Sequence, residues 1–453
     1  MGAQTLPGEA VSSALAQLVL LLLLIRFLDV WEREPVWLVA LLAIWGGIFA
    51  TSIAAPINDA RLAALSPDFA AVWGAAWVAP TDEEPAKGLA LLALYLLSRL
   101  RARRRGNAEF DGPLDGMVYG AAIGLGFGFI EDLTYGQRYG LGVLHLRLGF
   151  LGLLLLGHAV FTASFGAGLG LATWSRTLRA RLGFTLLGLG VAMFLHFVHD
   201  GLVSVFLTAK YGFHTTAAAI EGQQLPAQLV SQINATVRHA LVVLHVFDYG
   251  TIVAFFAALA YWIRYQRAVL VQELAEEVSA GVITAAESEL VTHYGARLRA
   301  YGALALSGQL IGLYRLRRRH RQVTDLAFCK WRISRIGGAT AMDLLQRSRI
   351  PALRRQLNPA HDAGAASPAT ADGPGTARPA HLHDRRNSLI LGIVGLALGI
   401  FLLPLVASVL AVAIGLRTRA SASPRSVPPG LVLGILGLLL WVPVYVVAIA
   451  NSP

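Results

Sequence analysis

Long apolar runs recur along the chain and determine its predicted elements. Several runs reach about 20 residues, the length that a helix needs to cross the hydrocarbon core of a bilayer. A transmembrane β-strand would be about half as long and would alternate in polarity. We therefore predict an all-α, polytopic bundle of about nine transmembrane helices. They cover residues 11–29, 36–57, 69–98, 114–136, 148–173, 183–208, 238–263, 388–416 and 430–450.

The arginines predict how these helices are oriented. They crowd the loops at residues 99–105 and 176–181, and Arg264 and Arg267 follow the seventh span. With this count of spans all three stretches fall on one side, as the positive-inside rule requires for the cytoplasmic side. The N-terminus is then outside and the C-terminus inside. Arginines at 417–425 oppose the rule for the last hairpin.

Composition agrees with a multi-pass integral membrane protein, which we expect in a bacterial plasma membrane. The chain is 55% hydrophobic and 14% charged, against about 25% charged residues in soluble domains. The run Leu18–Leu24 lacks the basic flank and cleavage site of a signal peptide, so it predicts a retained first span. A single cysteine, Cys329, excludes intrachain disulfides and cysteine-rich metal sites. The net charge of +11 predicts contact between the basic loops and lipid headgroups, and we expect no nucleic-acid partner.

Three regions are predicted. Residues 1–263 form a seven-span core, 264–387 a basic cytoplasmic insert that is partly amphipathic and partly disordered, and 388–453 a two-helix transmembrane module with a glycine-spaced repeat. Within the insert, residues 358–384 are rich in Ala, Pro and Gly and are expected to be disordered. The basic run 315–321 is interpreted as a face touching lipid headgroups, and specific binding of a protein or nucleic acid is the alternative.

Ionisable residues concentrate in four of the central spans, where each is costly and therefore indicates function. The first group is Asp82-Glu-Glu-Pro-Ala-Lys87. Glu83 and Lys87 are four residues apart, which places them on one helix face, and Glu84 is turned about 100° away. Pro85 frees a backbone carbonyl and predicts a bend. The alternative is a solvated loop between two short helices.

The second group follows a stripe of glycines. Gly116, Gly120 and Gly124 recur every four residues, which allows close approach of another helix. Glu131 and Asp132 follow near the predicted outer end of that span. Alone, they could equally be a carboxylate pair in interfacial water.

The remaining two groups contain histidine. His158 stands alone in an apolar run, where a hydrogen-bonded core residue is the alternative to a catalytic one. His196 and Asp200 share a helix face at four-residue spacing, with His199 beside Asp200. This spacing suits either a metal pair or a histidine whose proton is positioned by a carboxylate. Together, the four groups predict one polar centre inside the bundle, used for hydrolysis, ion transport or proton relay.

These motifs resemble the PrsW family of intramembrane proteases, which is distantly similar to the CAAX prenyl proteases, and the last two helices resemble a small two-helix domain of unknown function. The resemblance covers roughly residues 36–210. It implies peptide-bond hydrolysis in the membrane, a membrane-anchored protein substrate and, in relatives, the regulated destruction of anti-sigma factors. The residues that carry it are Glu83-Glu84-Pro-Ala-Lys87, Asp115-Gly-Met-Val-Tyr-Gly120 through Gly-Phe-Gly-Phe-Ile-Glu131-Asp132, Gly157-His158-Ala159 and His196-x-x-x-Asp200. The implied essential residues are Glu83, Glu84, Glu131, His158 and His196.

Two arrangements can hydrolyse an amide with these groups. In the first, Glu83 or Glu84 is the base, Lys87 orients the pair, and Asp200 fixes the tautomer of His196. Here His158 and His196 would stabilise the oxyanion. In the second, Zn²⁺ is bound by His158, His196 and a carboxylate such as Glu131. No His-Glu-x-x-His motif is present in the sequence, which favours the first arrangement.

Two other functions use the same groups. A proton- or ion-coupled transporter would use the buried Glu, Lys and His as a relay, although no inverted repeat of broken helices is evident. A non-catalytic membrane scaffold would recruit partners through the insert.

Overall fold

The computed structural model describes residues 5–31, 34–105, 108–148, 156–336 and 341–358. These residues are mostly helical and contain no strand. The predicted two-helix module and nearly all of the predicted disordered stretch lie outside them. The helices are α1 (Gly8–Leu28), α2 (Val36–Ile44), α3 (Thr51–Ala63), α4 (Pro67–Phe69), α5 (Ala75–Arg105), α6 (Pro113–Tyr139), α7 (Leu141–Leu148), α8 (Leu156–Thr173), α9 (Leu178–Tyr211), α10 (Phe213–Ile220), α11 (Ala227–Ser279), α12 (Ala285–Thr292), α13 (Tyr294–Leu306), α14 (Leu310–Ile336) and α15 (Ala341–Leu357).

Five of the described helical segments are long and apolar enough to cross a membrane: α1, the continuous segment from α2 to α3, α6, α9 and α11. The protein is therefore an all-α polytopic membrane protein, as predicted. Helices α5 and α8 pack between these segments and correspond to two further predicted spans. The total of about nine spans remains a prediction.

Helix α6 is the centre of the bundle, with 89% of its most apolar stretch buried. On one side, Gly124 packs so closely against α8 that a Cβ there would lie 2.1 Å from the carbonyl oxygen of His158. The stripe that also includes Gly116 and Gly120 meets the α8 backbone, which confirms the close approach predicted from the spacing. On the other side, α2 continues into α3 through a π-helical turn, Trp45–Ala50, which packs just as closely on α6.

Helix α11 extends far beyond the membrane thickness. Its 53 residues span about 80 Å, against about 30 Å of hydrocarbon. The distal part joins α12–α15 in a second hydrophobic core that includes Leu270, Leu274, Val323 and Leu326. The predicted boundary at residue 263 therefore falls inside a continuous helix.

The α12–α15 unit packs against one end of the transmembrane bundle. Trp31 Nε1 donates to the carbonyl of Ile263 at 3.1 Å, and Arg332 forms an ion pair with Asp111. The rings of Trp174 and Trp331 lie 5.1 Å apart. The connections after α1, α5 and α8 thus meet at one end, called the basic face below. The arginine distribution predicts that this end is cytoplasmic.

Candidate active site

Three charged side chains are buried on adjacent turns of α5. Glu83 is 5% exposed, Glu84 1% and Lys87 0%. Lys87 Nζ lies 2.8 Å from Glu84 Oε1 and 3.4 Å from Glu83 Oε2. Both carboxylates reach one ammonium because the i,i+3 and i,i+4 positions share a helix face. The group is within a continuous helix that includes Pro80 and Pro85, and the solvated-loop alternative is therefore not what the structure shows.

His196 on α9 connects this group to Asp200. His196 is 1% exposed, its Nδ1 lies 3.1 Å from Glu84 Oε1, and its Nε2 lies 3.3 Å from Asp200 Oδ2. Both ring nitrogens therefore face carboxylates, and the one-turn spacing from His196 to Asp200 produces the second contact.

His158 on α8 is the link to α6. Its Nε2 lies 2.7 Å from Glu131 Oε2, and its Nδ1 lies 3.0 Å from Lys87 Nζ. The imidazole rings of His158 and His196 are 5.0 Å apart. The close packing of Gly124 against the backbone of His158 fixes the height at which this ring meets the others.

The structure thus brings all of the predicted site side chains into one network: Glu83, Glu84, Lys87, Glu131, His158, His196 and Asp200. At 1.5 Å per residue, Glu131 lies about 27 Å along α6 from Pro113 and about 12 Å from Tyr139. Because Pro113 is at the basic face, the network lies nearer the opposite face. Glu131 and Asp200 have side chains 20% and 21% exposed, so the network opens on their side.

Sequence reasoning missed three neighbours of the network. Asn58 donates to Glu83 Oε1 at 3.0 Å, and Thr162 donates to Glu84 Oε2 at 3.1 Å. Arg147 on α7 donates to Glu131 Oε2 at 2.5 Å. Thr162 was predictable from the sequence, because it is one helical turn from His158 and on the same face. Asn58 and Arg147 adjoin predicted span ends, where polar residues are ordinary.

A fourth missed residue, Asp248, was the one most clearly predictable from the sequence. It is an ionisable residue inside the predicted span 238–263, outside the four central groups. It is 5% exposed, and its Oδ1 lies 2.9 Å from Nδ1 of His199, the neighbour of Asp200. The intramembrane ionisable residues are therefore not confined to the four central spans.

Three side chains in the network have the donor atoms of a metal site. Glu83, His158 and His196 each offer one ligand atom, and these atoms lie within 4.8 Å of one another. The predicted metal set used Glu131 as the carboxylate. Glu131 instead contacts Nε2 of His158. A carboxylate in this position orients a metal-binding histidine rather than binding the metal itself.

The fold and this centre define a class: a helical, multi-pass membrane protein with a buried Glu, His and Lys cluster of the kind that performs hydrolysis or proton transfer. The sequence model of the PrsW family of intramembrane metalloproteases matches residues 34–221. The resemblance seen in the motifs is thus confirmed for that part of the chain, which contains every predicted site residue. Neither the curated proteins nor the solved structures include a match to the chain.

The family's description implies a metal, and the residues present fit one. Two imidazoles and one carboxylate are the protein ligands of many catalytic zinc sites. Glu131 lies on one nitrogen of His158, and His196 has a carboxylate on each nitrogen; carboxylates usually orient metal-bound histidines in this way. The family's description therefore agrees with a metal held at this centre. Lys87 contacts the same donors, so a bound cation and the ammonium would compete for them.

Proposed function

We propose that this protein is an intramembrane endopeptidase that cleaves membrane-anchored protein substrates. The observation that carries the proposal is the buried network around Glu83, Glu84 and Lys87, which two histidines from other helices complete. Burying so many ionisable groups in a bundle is costly, and structural needs alone do not require it. The family match to residues 34–221 supports hydrolysis over the other two functions.

The two glutamates have different surroundings, which suggests different roles. Glu84 is held by three donors: Lys87 at 2.8 Å, His196 at 3.1 Å and Thr162 at 3.1 Å. Glu83 is held less tightly, by Asn58 at 3.0 Å and Lys87 at 3.4 Å, with His196 Nε2 at 3.8 Å. A carboxylate with fewer committed lone pairs is the better proton acceptor. We therefore assign Glu83 to contact with the attacking water and Glu84 to positioning His196 and Lys87.

Amide hydrolysis can then proceed with this chain's own groups. Glu83 accepts a proton from water as the water oxygen attacks the carbonyl carbon. The positive charge of His196, whose two N–H groups face Glu84 and Asp200, stabilises the resulting oxyanion. The same proton passes to the amide nitrogen as the C–N bond breaks, which releases an acid and an amine. Asp200 and Glu84 together hold the ring of His196 in place.

A metal would change the assignment of one residue. Glu83, His158 and His196 would hold it, and it would supply a Lewis acid and a water of lowered pKa. Glu83 would then be a ligand, and Glu84 or Glu131 would accept the proton. The metal content of purified wild-type protein and of the His158→Gln variant distinguishes the two arrangements.

The position of the network along α6 predicts where substrates are cleaved. Glu131 lies about 12 Å along α6 from the helix end opposite the basic face. A scissile bond in the outer third of a substrate's transmembrane helix would reach the network. The family resemblance suggests membrane-bound regulatory proteins such as anti-sigma factors as candidate substrates.

The test uses the purified full-length protein in liposomes with a single-span reporter. We expect cleavage in the outer third of the reporter span, mapped by mass spectrometry of both fragments, and loss of cleavage in His196→Gln. Comparing the membrane proteome of cells with and without the protein then identifies natural substrates. An intact reporter, together with a Glu83-dependent ion flux, would contradict the proposal and favour a transporter.

A further inference from the structure

A second polar region lies at the basic face, at the opposite end of the bundle from the candidate active site. It is a cavity of about 650 Å³ between the transmembrane helices and the α12–α15 unit. This volume is in the range of small-molecule sites, about 300–1,000 Å³. The cavity contributes nothing to the proposed hydrolysis.

One wall of the cavity is acidic. Most of its carboxylates contact groups of the protein, whereas Glu109 lines the cavity without a salt-bridge partner among the described residues. Asp111 forms an ion pair with Arg332. Asp115 Oδ2 accepts hydrogen bonds from the backbone N–H groups of Asp111 and Gly112, at 2.8 and 3.0 Å. Tyr119 donates its hydroxyl hydrogen to Glu34. Burial raises the pKa of Glu34 well above its usual range, and the nearby charges of Asp115 and Asp29 raise it further, so this wall is less negative than its composition indicates.

The facing wall carries positive charge without a salt-bridge partner among the described residues. Arg317, Arg318 and Arg321 line it from α14. Asp325 also lines the cavity and its charge interacts with that of Arg321, but burial raises the pKa of Asp325. The guanidinium carbon of Arg317 lies over the ring of Tyr301, 5.2 Å from the ring centroid. Three guanidinium groups without salt bridges, beside a cavity of ligand size, are an arrangement that favours a phosphate.

A buried histidine lines the same cavity and lacks one partner. His320 is 2% exposed, its Nδ1 lies 2.9 Å from the hydroxyl of Tyr301, and its Nε2 has no hydrogen-bond partner. Burial and the charge of Arg297 lower the pKa of His320 to about 4, so the ring is neutral at pH 7. When Tyr301 donates to Nδ1, the ring carries its hydrogen on Nε2, as a donor for an anion.

The position of the cavity and an apolar turn beside it indicate the source of the phosphate. Arg26, in the last turn of α1, lines the cavity, which places the cavity at the end of the first span. In the described part of the chain after residue 279, exposed large apolar side chains occur only at the α13–α14 turn. They are Leu306, Leu310, Ile311 and Tyr314, between 65% and 93% exposed. Basic groups beside exposed apolar groups are typical of surfaces that contact anionic lipid.

We propose that this cavity binds the phosphate of an anionic phospholipid from the leaflet at the basic face, with the α13–α14 turn against its acyl chains. Arg317, Arg318 and Arg321 bind the phosphate, and His320 Nε2 donates to it. This proposal is independent of the proposed protease function.

The test is native mass spectrometry of the full-length protein in detergent with short-chain phosphatidylglycerol. We expect binding that falls at least tenfold when Arg317, Arg318 and Arg321 are all changed to Gln. The matched control changes three exposed arginines that do not line the cavity, Arg299, Arg315 and Arg347, to Gln, and should bind as the wild type does.

Two further binding measurements distinguish a phospholipid from a soluble phosphate as the ligand. Leu310→Ser with Ile311→Ser should weaken binding of phosphatidylglycerol, and glycerol 3-phosphate alone should bind much more weakly than the lipid. Equal binding of phosphatidylglycerol by the variant lacking Arg317, Arg318 and Arg321 and by the triple-arginine control would overturn the proposal. Glycerol 3-phosphate binding as tightly as the lipid would overturn the assignment to phospholipid.

Discussion

Replacing Gly124 by alanine tests whether the close approach of α6 and α8 positions the active site. A Cβ at this residue would lie 2.1 Å from the carbonyl oxygen of His158 and 2.6 Å from the Cα of Ala159. Both contacts are with backbone atoms, so no side-chain rotation relieves them. Ordinary contact begins at 3.4 Å, so the two helices must separate by about 1.3 Å at this level.

That separation acts directly on His158. Its contacts with Glu131 at 2.7 Å and with Lys87 at 3.0 Å would lengthen beyond the range of a good hydrogen bond. A displacement of about 1 Å in a catalytic group costs on the order of 100-fold in rate. Overpacking of this kind also costs about 1–3 kcal/mol of stability. We therefore expect a stably inserted variant whose cleavage is about 100-fold slower.

The assay is reporter cleavage in liposomes, with thermal unfolding measured on the same preparations. The matched control is Gly190→Ala on α9, where a Cβ would meet no atom within 4 Å. It should cleave at the wild-type rate. Equal rates for Gly124→Ala and Gly190→Ala would refute the idea that this contact sets the geometry of the site.

Three further predictions follow from other parts of the chain. Lys87→Met should slow reporter cleavage less than Glu83→Gln does, because it removes charge compensation rather than the proton acceptor; equal losses would contradict this. Glu277→Gln should destabilise the α12–α15 unit by up to about 3 kcal/mol in a urea titration, because Glu277 is fully buried and contacts Lys330 and Arg354; an unchanged midpoint would contradict this. Deleting residues 388–453 should leave cleavage intact, and complete loss in a stably inserted truncation would show that the module is part of the enzyme.

The candidate site was predictable from sequence because charges inside apolar helices are costly. Glu83, Lys87, His158 and His196 stand out in their apolar runs for that reason, and the same cost requires them to meet. The spacing of His196 and Asp200 predicted a contact that the structure contains. Local spacing identified which residues belong together, although not all of their partners.

Partners supplied by other helices were harder to predict. Arg147 and Asn58 contact the site only because α7 and α3 pack beside it. Polar residues are common at the ends of membrane spans, so neither residue stands out in the sequence. Asp248 was predictable by the same rule as the buried residues of the four central groups.

Two features of the fold also depend on packing. The π-helical turn Trp45–Ala50 has no local signature and accompanies the close contact with α6. The docking of α12–α15 on the basic face depends on long-range contacts such as Arg332 with Asp111, which periodicity does not reveal.

The most direct test of the proposed function is the rate of reporter cleavage by the double variant Glu83→Gln, Glu84→Gln. Both substitutions keep the shape of the site but remove the two carboxylates that pair with the buried Lys87, so thermal unfolding of the double variant is measured on the same preparations. A matched control is Glu221→Gln, at an exposed position outside the network. We expect wild-type cleavage by the control and a fall of at least about 10² to 10⁴ in the double variant. Near-normal cleavage by the folded double variant would contradict the assignment of this pair to catalysis.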